Sequence, residues 1–208
     1  MNKLIIIPVI VGIAIIISAS FLFVDDVPSE FPSIYESGFT YYDIEIIQNI
    51  LAEQNIFVSA PTAITDHTIG EYCKFLENGV FKTVEYCTTT AVLDSQGNEL
   101  GNINIGGNAQ SPIMAVANLE TFSLESNRDD VFTVFETMIE TLVCDCWDVK
   151  QSEDYESISS WLEATHTFYT NSGKQNIKSK IDNLGDSEIF LEITSKDNSI
   201  LQTLIILK

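Results

Sequence analysis

The 21 residues from Leu4 to Val24, LIIIPVIVGIAIIISASFLFV, carry no charge. As a helix rising about 1.5 Å per residue they reach about 31 Å, which matches the hydrocarbon thickness of a bilayer. Such a segment governs where everything after it folds. It is expected to be a retained single-pass anchor, with a signal segment cleaved near Ser20 as the alternative, because Ser18 and Ser20 are small residues at a signal-peptidase spacing. Both readings put the rest of the chain outside the cytoplasm. Lys3 and the terminal amine lie on one side and Asp25 and Asp26 on the other, as the positive-inside rule favours for a cell-membrane protein. Only Met1 to Lys3 would remain inside, so any signalling output is expected to come from a partner.

The chain has 30 acidic and 10 basic residues, a net charge of −20, with Arg128 as its single arginine. A balance of this sign repels phosphate backbones and anionic headgroups, so nucleic acid is not an expected partner and membrane contact is expected only through the N-terminal segment. At 45% hydrophobic residues the chain has enough apolar material for a core and is not a disordered polyanion.

The expected organisation is an anchor or signal at residues 1–24, a stalk at 25–38 containing Pro28 and Pro32, and one extracytoplasmic α+β domain at 39–208. Ile44, Ile47 and Leu51 predict a helix over 41–54, with Thr40 as its N-cap. Segments 69–76 and 80–93 are rich in Tyr, Phe, Val and Thr, and Asn78-Gly79 between them predicts a hairpin. Strands over 100–105 and 113–119 extend an antiparallel β-meander.

Helical spacing returns over 130–143, where Phe132, Phe135, Ile139 and Leu142 form the apolar face and Thr133, Glu136, Thr137 and Glu140 the polar one. A second helix is expected after an N-cap at Ser152, with Tyr155, Ile158 and Leu162 facing inward. Residues 177–182, 188–194 and 200–207 predict a C-terminal three-stranded antiparallel meander. Its last strand is apolar on both faces and should be central or covered, and it is far too short to cross a membrane as a helix. This order of elements resembles PAS-like and roadblock-like α+β domains in architecture, some of which sense ligands outside cells; no motif carries a family assignment.

An even cysteine count in an exported chain predicts disulfides among Cys73, Cys87, Cys144 and Cys146. A two-residue turn at Asn78-Gly79 puts Cys73 and Cys87 on opposite faces of the hairpin, and a three-residue loop separates them by roughly 13 Å, so neither register is expected to permit a Cys73–Cys87 bond. Cys146 falls in the apolar stripe of Phe135, Ile139 and Leu142 and should face the sheet, so Cys73 is expected to pair with Cys146, and Cys87 with Cys144 if the helix unwinds before Cys144. The alternative is a copper or zinc site built on Cys144 and Cys146, although the paired spacing of structural zinc ligands is missing.

Catalytic signals are sparse, and an enzyme is not the expected reading. His67 and His166 are the only histidines and no Gly-x-Ser-x-Gly occurs, which leaves a hydrolase without an evident nucleophile. Asp94, Asn98 and Glu99 read as a hairpin turn in preference to a calcium loop. Gly101, Gly106 and Gly107 do not lie between a strand and a helix as a phosphate loop requires. Lys178 and Lys180 are expected to pair across strands with Glu188 and Glu192, and Trp161, Phe168 and Tyr169 to belong to the core or a pocket. The leading expectation is a tethered, non-enzymatic binding or assembly domain without a cofactor, contacting a protein partner or small ligand; a metal-handling protein is the alternative.

Overall fold

The computed structural model describes residues 38–65, 67–77, 80–144, 147, 155–184 and 187–208. The anchor or signal, nearly all of the stalk, Ser152 and Cys146 lie outside the described residues. Gly38–Lys208 forms one compact unit. Among the described residues no helix is long and apolar enough to cross a membrane.

The fold is α+β. Helix α1 (Asp43–Glu53) buries Ile44, Ile47 and Leu51, the apolar spacing that predicts it. The N-cap is Tyr42, without a side-chain cap bond, and not the expected Thr40; Thr40 lies just before it, its hydroxyl accepting the Tyr42 N–H at 3.2 Å and its own N–H donating to the Asp43 carboxylate. Two-residue strands β1 (Phe57–Val58) and β2 (Thr62–Ala63) then run along β5 (Tyr86–Leu93). The segment expected as a strand from 69 to 76 instead starts as the single-turn helix α2 (Ile69–Tyr72) and becomes β3 (Lys74–Glu77), which pairs with β4 (Val80–Thr83) in a separate two-stranded sheet. Glu77 faces Val80, the register of a two-residue turn.

The main sheet continues with β6 (Glu99–Gly107) and β7 (Pro112–Thr121). Helices α3 (Arg128–Leu142) and α4 (Ile158–Asn171) follow, then β8 (Ile177–Leu184), β9 (Ser187–Lys196) and β10 (Ser199–Leu207). The sheet order is β1-β5-β6-β7-β10-β9-β8, antiparallel throughout. The architecture runs twice through the same sequence of parts, a helix (α1 or α4) and a three-stranded meander (β5-β6-β7 or β8-β9-β10). The last strands of the two meanders, β7 and β10, pair with each other at the centre. This places β10 between β7 and β9 and accounts for its apolar residues on both faces.

One face of the sheet meets the three long helices. Ile103, Ile105, Leu119, Leu191, Leu204 and Ile206 point there and join the core with Phe135, Met138 and Trp161. Both α1 and α4 pack on α3, so α3 is enclosed on more sides than its amphipathic pattern predicts. Thr137, expected on the solvent face, is buried with only 5% of its surface exposed. Helix α4 begins later than expected: Ser157, not Ser152, is its N-cap, and its hydroxyl accepts the Ser160 N–H while the Ser160 hydroxyl accepts the Ser157 N–H, 3.0 Å each way. This reciprocal pair satisfies two helix-end donors.

The cysteine pairing differs from expectation. Cys73 is bonded to Cys87 with their Cα atoms 6.1 Å apart, and Cys144 is also in a disulfide, so the crossed pairs Cys73 with Cys146 and Cys87 with Cys144 do not form. The chain is not one strand from 80 to 93. It leaves β4 at Thr83, breaks at Val84 and Glu85, and enters the main sheet at Tyr86. Cys73 lies just after α2, its carbonyl accepting the Val84 N–H at 3.4 Å. The break turns the second arm onto the main sheet, and Cys87 then lies in β5 with Cys73 above it.

Candidate functional site

The second face of the main sheet is only half covered. Helix α2 and the residues that flank the β3–β4 hairpin, Cys73 and Val84, meet its β5–β7 side in a small apolar cluster of Ile69, Cys73, Val84, Cys87, Met114 and Val116. The Cys73–Cys87 bond is wholly buried inside that cluster. Gly106 of β6 makes this approach feasible, because a Cβ there would come within 2.9 Å of both Cys73 Sγ and Val84 Cγ2. The disulfide thus ties a short, separate sheet to a long one at a point where backbone pairing cannot.

Next to this covered half lies a groove of about 420 Å³. Glu71, Tyr72 and Lys74, the residues on either side of Cys73, form one wall. Val116, Phe190, Ile205 and Leu207 supply an apolar floor from β7, β9 and β10, and strand alternation is what turns them away from the helix-side core. The far side is charged. Lys178 Nζ lies 2.7 Å from Glu192 Oε1, and Lys180 Nζ donates to Glu188 Oε1 at 2.7 Å, the cross-strand pairing expected from sequence. Both ammonium groups also lie over the Phe190 ring, at 4.3 and 5.3 Å from its centroid. A cation over an aromatic face is attracted by the ring quadrupole, so Phe190 holds the two lysines as well as forming the floor.

A polar track leads from the groove across the sheet. The Thr203 hydroxyl donates to Asn118 Oδ1 at 3.1 Å, the Asn118 amide to Asn102 Oδ1 at 3.3 Å, and the Asn104 amide to the same oxygen at 2.8 Å. Asn104 is fully buried, and its Oδ1 receives no hydrogen bond from the described residues. Neither the groove nor this asparagine track was recognised from sequence. The signal present was the alternation of Asn102, Asn104 and Asn118 with apolar residues, which marks a strand face but does not say which other strands join it.

The remaining candidates take structural roles. His166 is inside α4, buried, with Nε2 2.7 Å from Gln202 Oε1 and its ring edge-on to Phe132 at 4.8 Å. An amide oxygen can only accept, so the proton is assigned to Nε2 and Nδ1 is left unpaired among the described residues. Burial holds this imidazole below its ordinary pKa, with Arg128 adding to the effect and Gln202, Glu125 and Glu163 opposing it. Gln202 faces the helices whereas its neighbour Thr203 faces the groove, so His166 and the groove lie on opposite sides of β10. His67 is exposed.

Asp94 closes the β5–β6 turn. Burial raises its pKa, but N–H donors from Asn98 and Gln96 and the amides of Asn98 and Asn127 outweigh that and hold the carboxyl below its usual range. Its oxygens are occupied by the turn itself, which is the hairpin role expected. Gly101, Gly106 and Gly107 are all in strand β6. Trp161 and Tyr169 are core, with Trp161 Nε1 donating to Ser179 Oγ at 2.8 Å, whereas Phe168 is exposed. Among the described residues no group of three His, Cys, Asp or Glu side chains is arranged to hold a metal. Bonded in a disulfide, the Cys144 sulfur is not the thiolate that copper or zinc requires. No family model, curated protein or solved structure matches this chain.

Proposed function

We propose that this protein is a membrane-tethered extracytoplasmic binding domain that takes a small amphipathic ligand in the groove between α2 and strands β7, β10, β9 and β8. The groove is the observation that carries the reading. Its apolar floor suits a hydrocarbon or aromatic body, and the lysine and glutamate pairs at its side suit a charged end. A carboxylate on the ligand would compete with Glu192 for Lys178, an exchange of one exposed ion pair for another that costs little.

Two further observations support export. The uncharged stretch from Leu4 to Val24 is long enough to span a bilayer. The Cys73–Cys87 disulfide is the chemistry of an oxidising compartment.

The test is a thermal-shift screen of the full chain in detergent against amphipathic carboxylates, amines and zwitterions, repeated with Ile205→Trp, which fills the floor. A ligand that raises the wild-type melting temperature and loses at least about ten-fold in affinity in the variant supports the reading. No shift with any class, together with no partner recovered from solubilised membranes, would count against it. A reporter fused to the carboxyl end and found active in the cytoplasm would remove the export part.

A further inference from the structure

Helix α1 has two apolar faces. Ile44, Ile47 and Leu51 are buried in the core, yet Tyr42, Ile46 and Ile50, each four residues after the last, are 78%, 49% and 41% exposed. Four-residue steps advance about 40° around a helix, so these three form one continuous outward stripe. Single exposed apolar residues are ordinary, but a row of them needs a reason, and isoleucine is not the residue that exposed helix positions favour for local stability. The charged residues of α1 are Asp43, Glu45 and Glu53, and it contains no lysine or arginine.

That charge pattern selects the occupant. A second copy of this chain would bring acidic flank against acidic flank in a protein of net charge −20, which costs association. A bilayer surface is also a poor match, because helices that lie in the headgroup layer are basic and anionic lipids repel acidic ones. We infer that the Tyr42–Ile46–Ile50 stripe docks an amphipathic helix of another protein, with an apolar face bordered by lysine or arginine. Helix packing would set its leucine-type side chains between Ile46 and Ile50 and its basic groups against Asp43, Glu45 and Glu53. The stripe belongs to the helical side of the domain and the groove to the other face of the sheet, so this inference does not depend on a ligand in the groove.

The experiment uses the full chain in detergent and three synthetic helical peptides: a leucine stripe flanked by lysines, the same stripe flanked by glutamates, and an alanine stripe flanked by lysines. Binding is read by fluorescence anisotropy at low and high salt. The expected result is binding of the first peptide alone, weakened by salt and by about ten-fold or more in Ile46→Gln/Ile50→Gln. Both positions are exposed, and an unchanged melting temperature verifies that the variant is folded. Equal binding of the alanine-striped peptide, or no loss in the variant, overturns the inference as mere attraction of opposite charges. So does a concentration-dependent dimer, or association with protein-free zwitterionic vesicles, that disappears in the variant, since the stripe would then have a different occupant.

Discussion

Gly106 lies directly under the sulfur of Cys73, so close that a Cβ on residue 106 would be 2.9 Å from Sγ. The end of α2 is brought onto strand β6 at this point by the absence of one side chain. The disulfide cannot rotate away as a flexible side chain could, and Val84 Cγ2 blocks the other direction at 2.9 Å. Gly106→Ala is therefore expected to lower stability by about 1–3 kcal/mol, the usual cost of overfilling a packed site. Urea unfolding with a free-thiol assay checks it; unchanged stability and no free thiol would show that the hairpin relaxes without cost.

Cys73 and Cys87 are separated by 14 positions in sequence. Closing a loop of that length restricts the unfolded chain by about 3 kcal/mol. Replacing both residues by serine should cost about that much. It should also loosen α2 and the β3–β4 hairpin, which would then rest on the small apolar cluster around Ile69 and Met114 and on weaker contacts such as the Glu85 N–H to Gly107 carbonyl bond. Limited proteolysis should then cut between residues 67 and 85 before it cuts elsewhere in the domain.

His166 makes the fold acid-sensitive above the carboxylate range. Its folded pKa is held below the ordinary 6.5, so above that pH neither folded nor unfolded imidazole is protonated and nothing is gained or lost. Below pH 6.5 the unfolded chain takes up a proton that the folded one refuses. Stability should therefore fall as pH drops from 6.5, by at most about 1.4 kcal/mol per pH unit for one site, and level off below the folded pKa. His166→Gln keeps a donor for Gln202 without the titration. The difference between its melting curve and the wild type's should change with pH from 7 to 5, and a constant difference would remove His166 as the cause.

Asp94 acts at lower pH. Its carboxyl is held below the ordinary 3.8 by the Asn98, Gln96 and Asn127 donors acting against its burial. The stabilisation is thus full above about pH 4 and lost as pH falls through the folded pKa. Glu120, held below 4.5 by the Ser199 hydroxyl and Lys196, adds a loss of the same sign. Asp94→Ala should cost about 1–3 kcal/mol at neutral pH, since it removes the charged acceptor of the Gln96 and Asn98 N–H groups and the Asn98 and Asn127 amides. Asp94→Asn should cost less and flatten the acid limb of the stability curve.

Much of the domain could be read from residue order because the signals are local. The spacing of Ile44, Ile47 and Leu51 predicts α1. The doubly apolar run from Ile200 to Leu207 predicts a strand that is central or covered, and β10 lies between β7 and β9. Lys178 faces Glu192 because two adjacent strands of opposite direction leave few registers that bury Ile177, Ile181, Ile189 and Ile193 on one side. These are consequences of periods of 3.6 and 2.0 and of chain direction, and they are already present in the unfolded sequence.

The disulfide, the groove and the bare stripe of α1 were decided otherwise. A two-residue break at Val84 and Glu85 moves Cys87 from one sheet to another, and no periodicity in the surrounding residues marks that change of partner. The groove depends on where α2 stops covering a sheet whose floor comes from β7, β9 and β10, residues far apart in sequence. Tyr42, Ile46 and Ile50 look like ordinary helical apolar residues until α3 takes the opposite face. Which strand lies beside which, and which of two apolar faces is covered, depends on the global competition for burial, and that competition exists only once the chain has folded.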